Sequence, residues 1–288
     1  MAYTVTIWGA RGSIPTPGAA TARYGGNTPC LSVEHVDAAG SHMVVLDAGT
    51  GIRLLGQDLA DRGNGPLTVD LLLTHTHWDH IQGIPFFQPL VAEGNEVRVW
   101  GSKQGDTDLD IILRQQMHPV VFPVPLERMA AELTVEHVEP GGFEIDGFAV
   151  EALRLRHPGN TLGYRLTPIE GGATVAYVTD NELGAGGDYD VGPNWRSELI
   201  TFVGGVDVLV HDAMYTPEAL EQHRGWGHSS TSEAVALAVE AGVRQLLLFH
   251  HRPEHDDAAM DSLVEAAQAE AGGEVRVAAA TEGMQLIL

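Results

Sequence analysis

Val69-Asp70-Leu71-Leu72-Leu73-Thr74-His75-Thr76-His77-Trp78-Asp79-His80 runs from an apolar strand pattern straight into three imidazoles and a carboxylate. Neutral imidazole is the commonest nitrogen ligand for zinc-like cations, and a carboxylate among such ligands lowers the charge of the site and can hold a metal-bound water. The spacing excludes the helical zinc motif, in which two histidines sit four apart on one face. His75 and His77 are two apart and would diverge on a helix. They belong on a loop leaving a strand, and the cluster is read as a metal site.

Outward from this stretch, the same pattern returns. Val206-Asp207-Val208-Leu209-Val210 ends in His211, Leu246-Leu247-Leu248-Phe249 ends in His250, and the run Thr174 to Thr179 ends in Asp180. Buried strands that each deliver a polar residue at the C-terminal end describe a site along one edge of a sheet, where open α/β folds usually bind ligands. His157, in His157-Pro158-Gly159-Asn160, is a further metal-capable residue. The candidate ligands are thus His75, His77, Asp79, His80, His157, Asp180 and His250. His251 competes with His250, since strand alternation lets only one of two neighbours face the site.

Strands are expected over 4–8, 31–36, 43–46, 67–73, 96–100, 133–138, 148–155, 162–166, 174–179, 206–210, 245–249 and 275–279, with helical patterns between several of them. Ser230-Thr231-Ser232-Glu233 is a capping box opening an amphipathic run to Ala241 that Gly242 closes, and Asp256-Asp257 precedes a second run ending near Gly272-Gly273. The class is mixed α/β. No low-complexity linker breaks the chain, so residues 1–288 are read as one domain. Pro119 to Pro125 is too proline-rich for a regular element and is read as a loop, with a lid or partner surface as the alternatives. His35, His42, His118, His137, His223 and His255 find no partner in the pattern and are placed on the surface.

Charge narrows the function. The 288 residues carry 16 Lys+Arg against 39 Asp+Glu, a formal net charge of −23. Nucleic acids and anionic membranes are bound mainly through Lys and Arg, so a large nucleic acid and a membrane are both unexpected partners. The single Cys30 can form no intrachain disulfide, and no apolar run approaches membrane-spanning length. The N-terminus, Met1-Ala2-Tyr3-Thr4-Val5-Thr6-Ile7, lacks the basic and long apolar regions of a secretory signal. A cytoplasmic protein is expected.

The His-x-His-x-Asp-His cluster, followed by separate His, Asp and His in that order, resembles the metallo-β-lactamase superfamily of dinuclear metallohydrolases over essentially the whole chain. The opening Trp8-Gly9-Ala10-Arg11-Gly12-Ser13-Ile14-Pro15, the segment Tyr24-Gly25-Gly26-Asn27-Thr28 and Asp47-Ala48-Gly49-Thr50-Gly51 resemble its phosphodiesterase branch, which includes transfer RNA 3′-processing ribonucleases and cyclic-nucleotide phosphodiesterases. The resemblance implies a four-layer αβ/βα sandwich. It implies two divalent metal ions, zinc or manganese, with His75, His77 and His157 on one, Asp79, His80 and His250 on the other, and Asp180 bridging. It further implies that His228, in Gly225-Trp226-Gly227-His228-Ser229-Ser230, is a catalytic histidine outside the ligand set that protonates the departing oxygen or holds the phosphoryl oxygen. Asp212 is a candidate to orient His228, Asp79 to serve the hydrolytic water, and the Asp47 to Gly51 turn to support the site.

The expected activity is hydrolysis of a small phosphodiester, cyclic nucleotides included, by a metal-bridging hydroxide, and relatives of this kind are often homodimers. Two hydrolytic alternatives stand beside it. An acyl hydrolase, a lactonase or thioesterase, would use the same metals on a carbonyl. Transfer RNA processing normally needs a basic, Gly-rich arm, and this acidic chain has none. A di-iron redox protein fits less well, because the related flavodiiron pattern carries Glu where this chain has His77.

Overall fold

A computed structural model describes residues 3–36, 41–63, 65–145, 147–184 and 186–288; Met1 and Ala2 of the N-terminal stretch lie outside them. The Val69–Leu73 run folds as β4 (Thr68–Leu72), apolar on both faces because both are covered. Before it come β1 (Tyr3–Gly9), β2 (Cys30–Val36), β3 (Ser41–Leu46) and α1 (Ile52–Arg62). After it come α2 (Trp78–Ile81), β5 (Glu96–Gly101), α3 (Leu109–Gln116) and β6 (Glu132–His137). The second half contains β7 (Gly141–Ile145), β8 (Phe148–Arg154), β9 (Leu162–Pro168), β10 (Val175–Val178), α4 (Trp195–Val203), β11 (Val208–Asp212), α5 (Pro217–Leu220), α6 (Thr231–Glu240), β12 (Gln245–Phe249), α7 (Asp257–Ala271), β13 (Arg276–Ala279) and β14 (Gln285–Ile287).

These strands build two seven-stranded mixed sheets, in the orders β14-β1-β2-β3-β4-β5-β6 and β13-β12-β11-β10-β9-β8-β7. In the first, β3 to β6 run parallel; in the second, β10 to β13 do. The sheets face each other across one apolar layer, where Val5, Ile7, Val44 and Leu72 meet Phe148, Val150, Tyr164, Val210 and Phe249. Helices close both outer faces. Ile52, Leu55 and Leu59 of α1 and Leu113 of α3 cover Val69, Leu71 and Val97. Trp195 and Leu199 of α4, Val235 and Ala238 of α6 and Met260 of α7 cover Leu209, Leu246 and Leu248. The result is the four-layer αβ/βα sandwich. Burying a side chain such as Leu246 in these layers contributes roughly 1.5–3 kcal/mol against leaving it in water.

Every expected strand forms, with ends shifted by a residue or two. Two strands escape the periodicity. β7 begins with Gly141-Gly142 and sits at a sheet edge largely in solvent, and β14 is three residues long. The capping box holds: the Ser230 hydroxyl accepts from the Glu233 N–H while the Glu233 carboxylate accepts from the Ser230 N–H. Asp256 caps α7, and Gly272 ends it in the left-handed conformation. Residues 119–125 form no helix or strand. No helix among the described residues is long and apolar enough to cross a membrane.

Of the histidines placed on the surface, His42, His223 and His255 are half-buried and His35 is interior. His35 is buried against the Tyr3 ring, 4.8 Å between centroids, because its β2 position pairs with Tyr3 across the sheet. The single Cys30 is buried, and burial pushes its thiol well above the usual range.

Candidate metal centre

The site does not lie along one sheet edge, as the strand ends alone predicted, but spans the matching edges of both sheets. β4 of the first sheet delivers His75 and His77 on its exit loop and Asp79 and His80 on the single turn of α2. From the second sheet, the exits of β8, β10 and β12 deliver His157, Asp180 and His250. Two antiparallel steps between β8 and β10 restore the same strand direction, so all three exits open at one end.

Special backbone conformations aim these residues. Among the described residues, four non-glycines have left-handed φ: Ser13 (63°), Asp47 (60°), Asp180 (50°) and His250 (58°). Such positions are uncommon and cost on the order of 1–3 kcal/mol each, and they persist where the surroundings hold them for function. All four belong here. Asp180 and His250 turn off their strands into the site, and Ser13 donates its N–H to Asp79 Oδ2 at 2.8 Å. Asp47 accepts from the Thr74 N–H at 2.8 Å, from the Tyr177 hydroxyl at 2.9 Å and from His80 Nδ1 at 2.8 Å.

The carboxylate and imidazole atoms gather in three groups, one of which, Asp180, His228 and His250, shares a member with each of the other two. His75, His77, His157 and Asp180 each offer a ligand atom within 4.8 Å of the others, and so do Asp79, His80 and His250. His77 Nδ1 stands 3.0 Å from His157 Nε2. Asp180 touches both of these: its Oδ1 is 3.2 Å from His80 Nε2 and 3.3 Å from His250 Nε2, while its Oδ2 is 3.6 Å from His157 Nε2 and 3.7 Å from His75 Nε2. Asp79 Oδ2 lies 3.1 Å from His250 Nε2.

The far nitrogen of most rings is tied down, which fixes the tautomer and leaves the near nitrogen for the site. His157 Nδ1 donates to the Gly227 carbonyl at 2.8 Å, and His75 Nδ1 contacts the Thr74 hydroxyl at 3.0 Å. His75 Nε2 is buried with no hydrogen-bond partner. An orphaned buried nitrogen costs free energy unless something else occupies its lone pair. That observation, together with the donor set of imidazoles and carboxylates, fits a divalent cation.

Electrostatics divide the imidazoles. Burial pushes His157 down to about 4 and His75 well below its ordinary value. For His250, burial acts downward too, but Asp180 and Asp79 overcome it and lift the ring to about 9. His80 is raised by the same carboxylates and Asp47. Against the upward pull of their own burial, Asp180 is held well below the usual carboxylate range by His250 and His80, and Asp79 by His80 and His250. Protons here occupy places that a cation of higher charge could take.

His228 stands next to the first two groups, its ring 5.0 Å from both His157 and His250, and Asp212 Oδ2 sits 2.6 Å from its Nδ1. Asp212 also accepts from the Ser229 N–H at 3.1 Å, fixing the loop that carries His228. His211 turns the other way, its Nδ1 donating to the Asp212 carbonyl at 2.7 Å, because neighbours on β11 alternate faces. At the end of β12 the two neighbours part: His250 Nε2 joins the cluster, whereas His251 Nε2 donates to the Ala280 carbonyl at 2.8 Å, and burial lowers its pKa to about 3.

Some supporting residues had no signal in the sequence. Tyr177 reads as one more apolar strand residue. Glu182 accepts from the Gly225 and Gly227 N–H groups at 2.9 and 3.1 Å and from the Tyr189 hydroxyl at 2.5 Å, bracing the loop under His157 and His228. Its place two residues past Asp180 is the one hint.

A family model described as the β-lactamase superfamily domain matches residues 42–251. A ribonuclease Z of Pseudomonas putida is 31% identical over 252 residues, covering 75% of this chain and 76% of its own. Among solved structures, the metallo-β-lactamase fold protein YhfI of Bacillus subtilis is 21% identical with a TM-score of 0.69, covering 100% of this chain and 99% of its own. Unliganded yeast PDE1 is 13% identical with a TM-score of 0.73 and full coverage of both chains. The two solved structures share the fold, and the family model and the ribonuclease Z carry the kinship: the chain belongs to the β-lactamase superfamily, in its branch of metal-dependent phosphodiester hydrolases.

Proposed function

We propose that the protein hydrolyses small phosphodiesters, cyclic nucleotides among them, with two divalent cations, zinc or manganese, and with residues 1–288 acting as one hydrolase unit. His75, His77 and His157 would hold one cation, Asp79, His80 and His250 the other, and Asp180 would serve both. Such a pair supplies a water ionised near neutral pH and a positive field for the phosphoryl oxygens. The observation that carries the reading is the His228–Asp212 pair, 2.6 Å apart, with the His228 ring 5.0 Å from both His157 and His250. Asp212 accepts from Nδ1 and would steady the imidazolium form of His228, whose Nε2–H would pass to the departing alkoxide while Nδ1–H stays on Asp212. Asp79, held by the Ser13 N–H at 2.8 Å, would orient the attacking water.

A second reading, transfer RNA 3′ processing, is favoured by the ribonuclease Z relative. Against it stand the net charge of −23 and a chain whose single lysine is Lys103. The test is kcat/KM of the metal-reconstituted protein on cyclic nucleotides, aryl diesters, monoesters, lactones and precursor transfer RNA. Small diesters are expected to lead. A lead for lactones would replace the reading with acyl hydrolysis, and a lead for the precursor would replace it with RNA processing. Elemental analysis should return two metals per chain, and Asp180→Ala should lose both.

A further inference from the structure

Large apolar side chains stand in solvent beside residues of the site in the chain. Trp78 is 75% exposed, between His77 and Asp79; Trp226 is 61% exposed, two residues before His228. Trp226 is the outer end of a run of rings that leads inward. It packs edge-on to His223 at 5.0 Å, His223 stacks on buried Tyr215 at 4.5 Å, and Tyr215 meets His228 at 6.1 Å. Trp78 opens α2, directly after the exposed His77 whose ring lies 4.5 Å from His75. Each indole leaves a broad flat face open to the ring of a ligand.

The cations nearest the site in sequence are already engaged. Arg156 donates to the Gly184 carbonyl at 3.2 Å and lies over the Trp195 ring at 4.3 Å. Arg224 pairs with Glu221 and Glu233, both at 2.9 Å, and Arg252 pairs with Glu254 at 2.7 Å. These arginines are thus tied to protein partners, while the indoles of Trp78 and Trp226 stand open to a ligand. Stacking on aromatic side chains is the sequence-tolerant way to hold a base, because every base presents a flat face.

We infer that Trp78 and Trp226 form an aromatic clamp that stacks on the nucleobase of a nucleotidyl diester, and so set the substrate class of the phosphodiesterase reading on which this rests. The test compares metal-loaded wild type with Trp78→Ala, Trp226→Ala and the corresponding Phe variants. The substrates are a nucleoside 2′,3′-cyclic phosphate, ethylene glycol cyclic phosphate, which lacks the base, and methyl phenyl phosphate. Each Ala variant should lower the kcat/KM ratio of nucleoside to base-free substrate by about five- to hundredfold, with partial recovery in Phe. A fall that extends to the phenyl ester assigns the clamp to any flat ring, and one confined to the nucleoside assigns it to the base. An unchanged ratio in both Ala variants overturns the clamp. If wild type hydrolyses none of the three, the phosphodiesterase reading fails, and the clamp is then judged by indole fluorescence. Quenching by adenosine monophosphate but not ribose 5-phosphate, lost in the variants, upholds it; equal response to the two overturns it.

Discussion

At the scale of single residues, His228 separates bond cleavage from metal binding. If it gives its proton to the leaving oxygen, His228→Ala should lower kcat by about 10² to 10⁴, the worth of a positioned general acid, with metal content intact. The loss should shrink for an aryl diester, whose leaving group departs without protonation. Equal losses on alkyl and aryl esters would move His228 to phosphoryl binding, and a loss of metal would make it a ligand. A second expectation concerns protons. His250 is lifted to about 9 by Asp180 and Asp79 against the effect of burial, and a cation needs its neutral form. Metal uptake should therefore release protons, and apparent affinity should rise as pH increases toward about 9. Titrating the metal-free protein in weak buffer reads both; uptake without proton release, and affinity flat from pH 6 to 9, would contradict it.

At the scale of elements, what the sequence made legible was whatever rests on local periodicity or local capping. Apolar runs of buried strands, the Ser230–Glu233 box and the Gly272 stop are all such features. β7 and β14 were not legible, because an edge strand starting at two glycines and a three-residue strand are held by their neighbours rather than by their own pattern. The partition of the strand exits between two sheets was likewise invisible, since β4 and β12 read alike. So was the placing of His250 and His251: alternation leaves open which one faces the cluster, and the left-handed turn at His250 brings its ring there. The 225–228 loop shows how an element depends on such detail. Gly227 has φ of 86°, and a Cβ there would stand 2.2 Å from His157 Nδ1. Gly227→Ala should therefore displace the ring that its own carbonyl orients, lowering metal content and activity together and reducing stability by about 1 kcal/mol or more through the backbone strain. Full metal occupancy in that variant would show that the loop yields more easily than the packing implies.

At the scale of the whole molecule, two fields of opposite sign act on an anionic substrate. The surface carries a net −23, which repels a diester at long range, while the metal centre attracts it at short range. The short-range field is partly offset, because Asp79 and Asp180 are themselves buried in the cluster. Salt acts unequally on the two. The Debye length is about 8 Å at physiological ionic strength, so charges spread over the surface are screened from an approaching ligand, whereas contacts within the recessed site are not. For a small diester, kcat/KM should therefore stay level or rise between low and moderate salt. The outcome discriminates between substrates as well as between fields. A chain that grips a polyanion through several basic side chains releases counterions on binding, and its affinity falls steeply with salt. A steep fall in kcat/KM for the small diester would mean that salt is screening basic side chains that draw it in, and would point to a cationic groove fit for RNA.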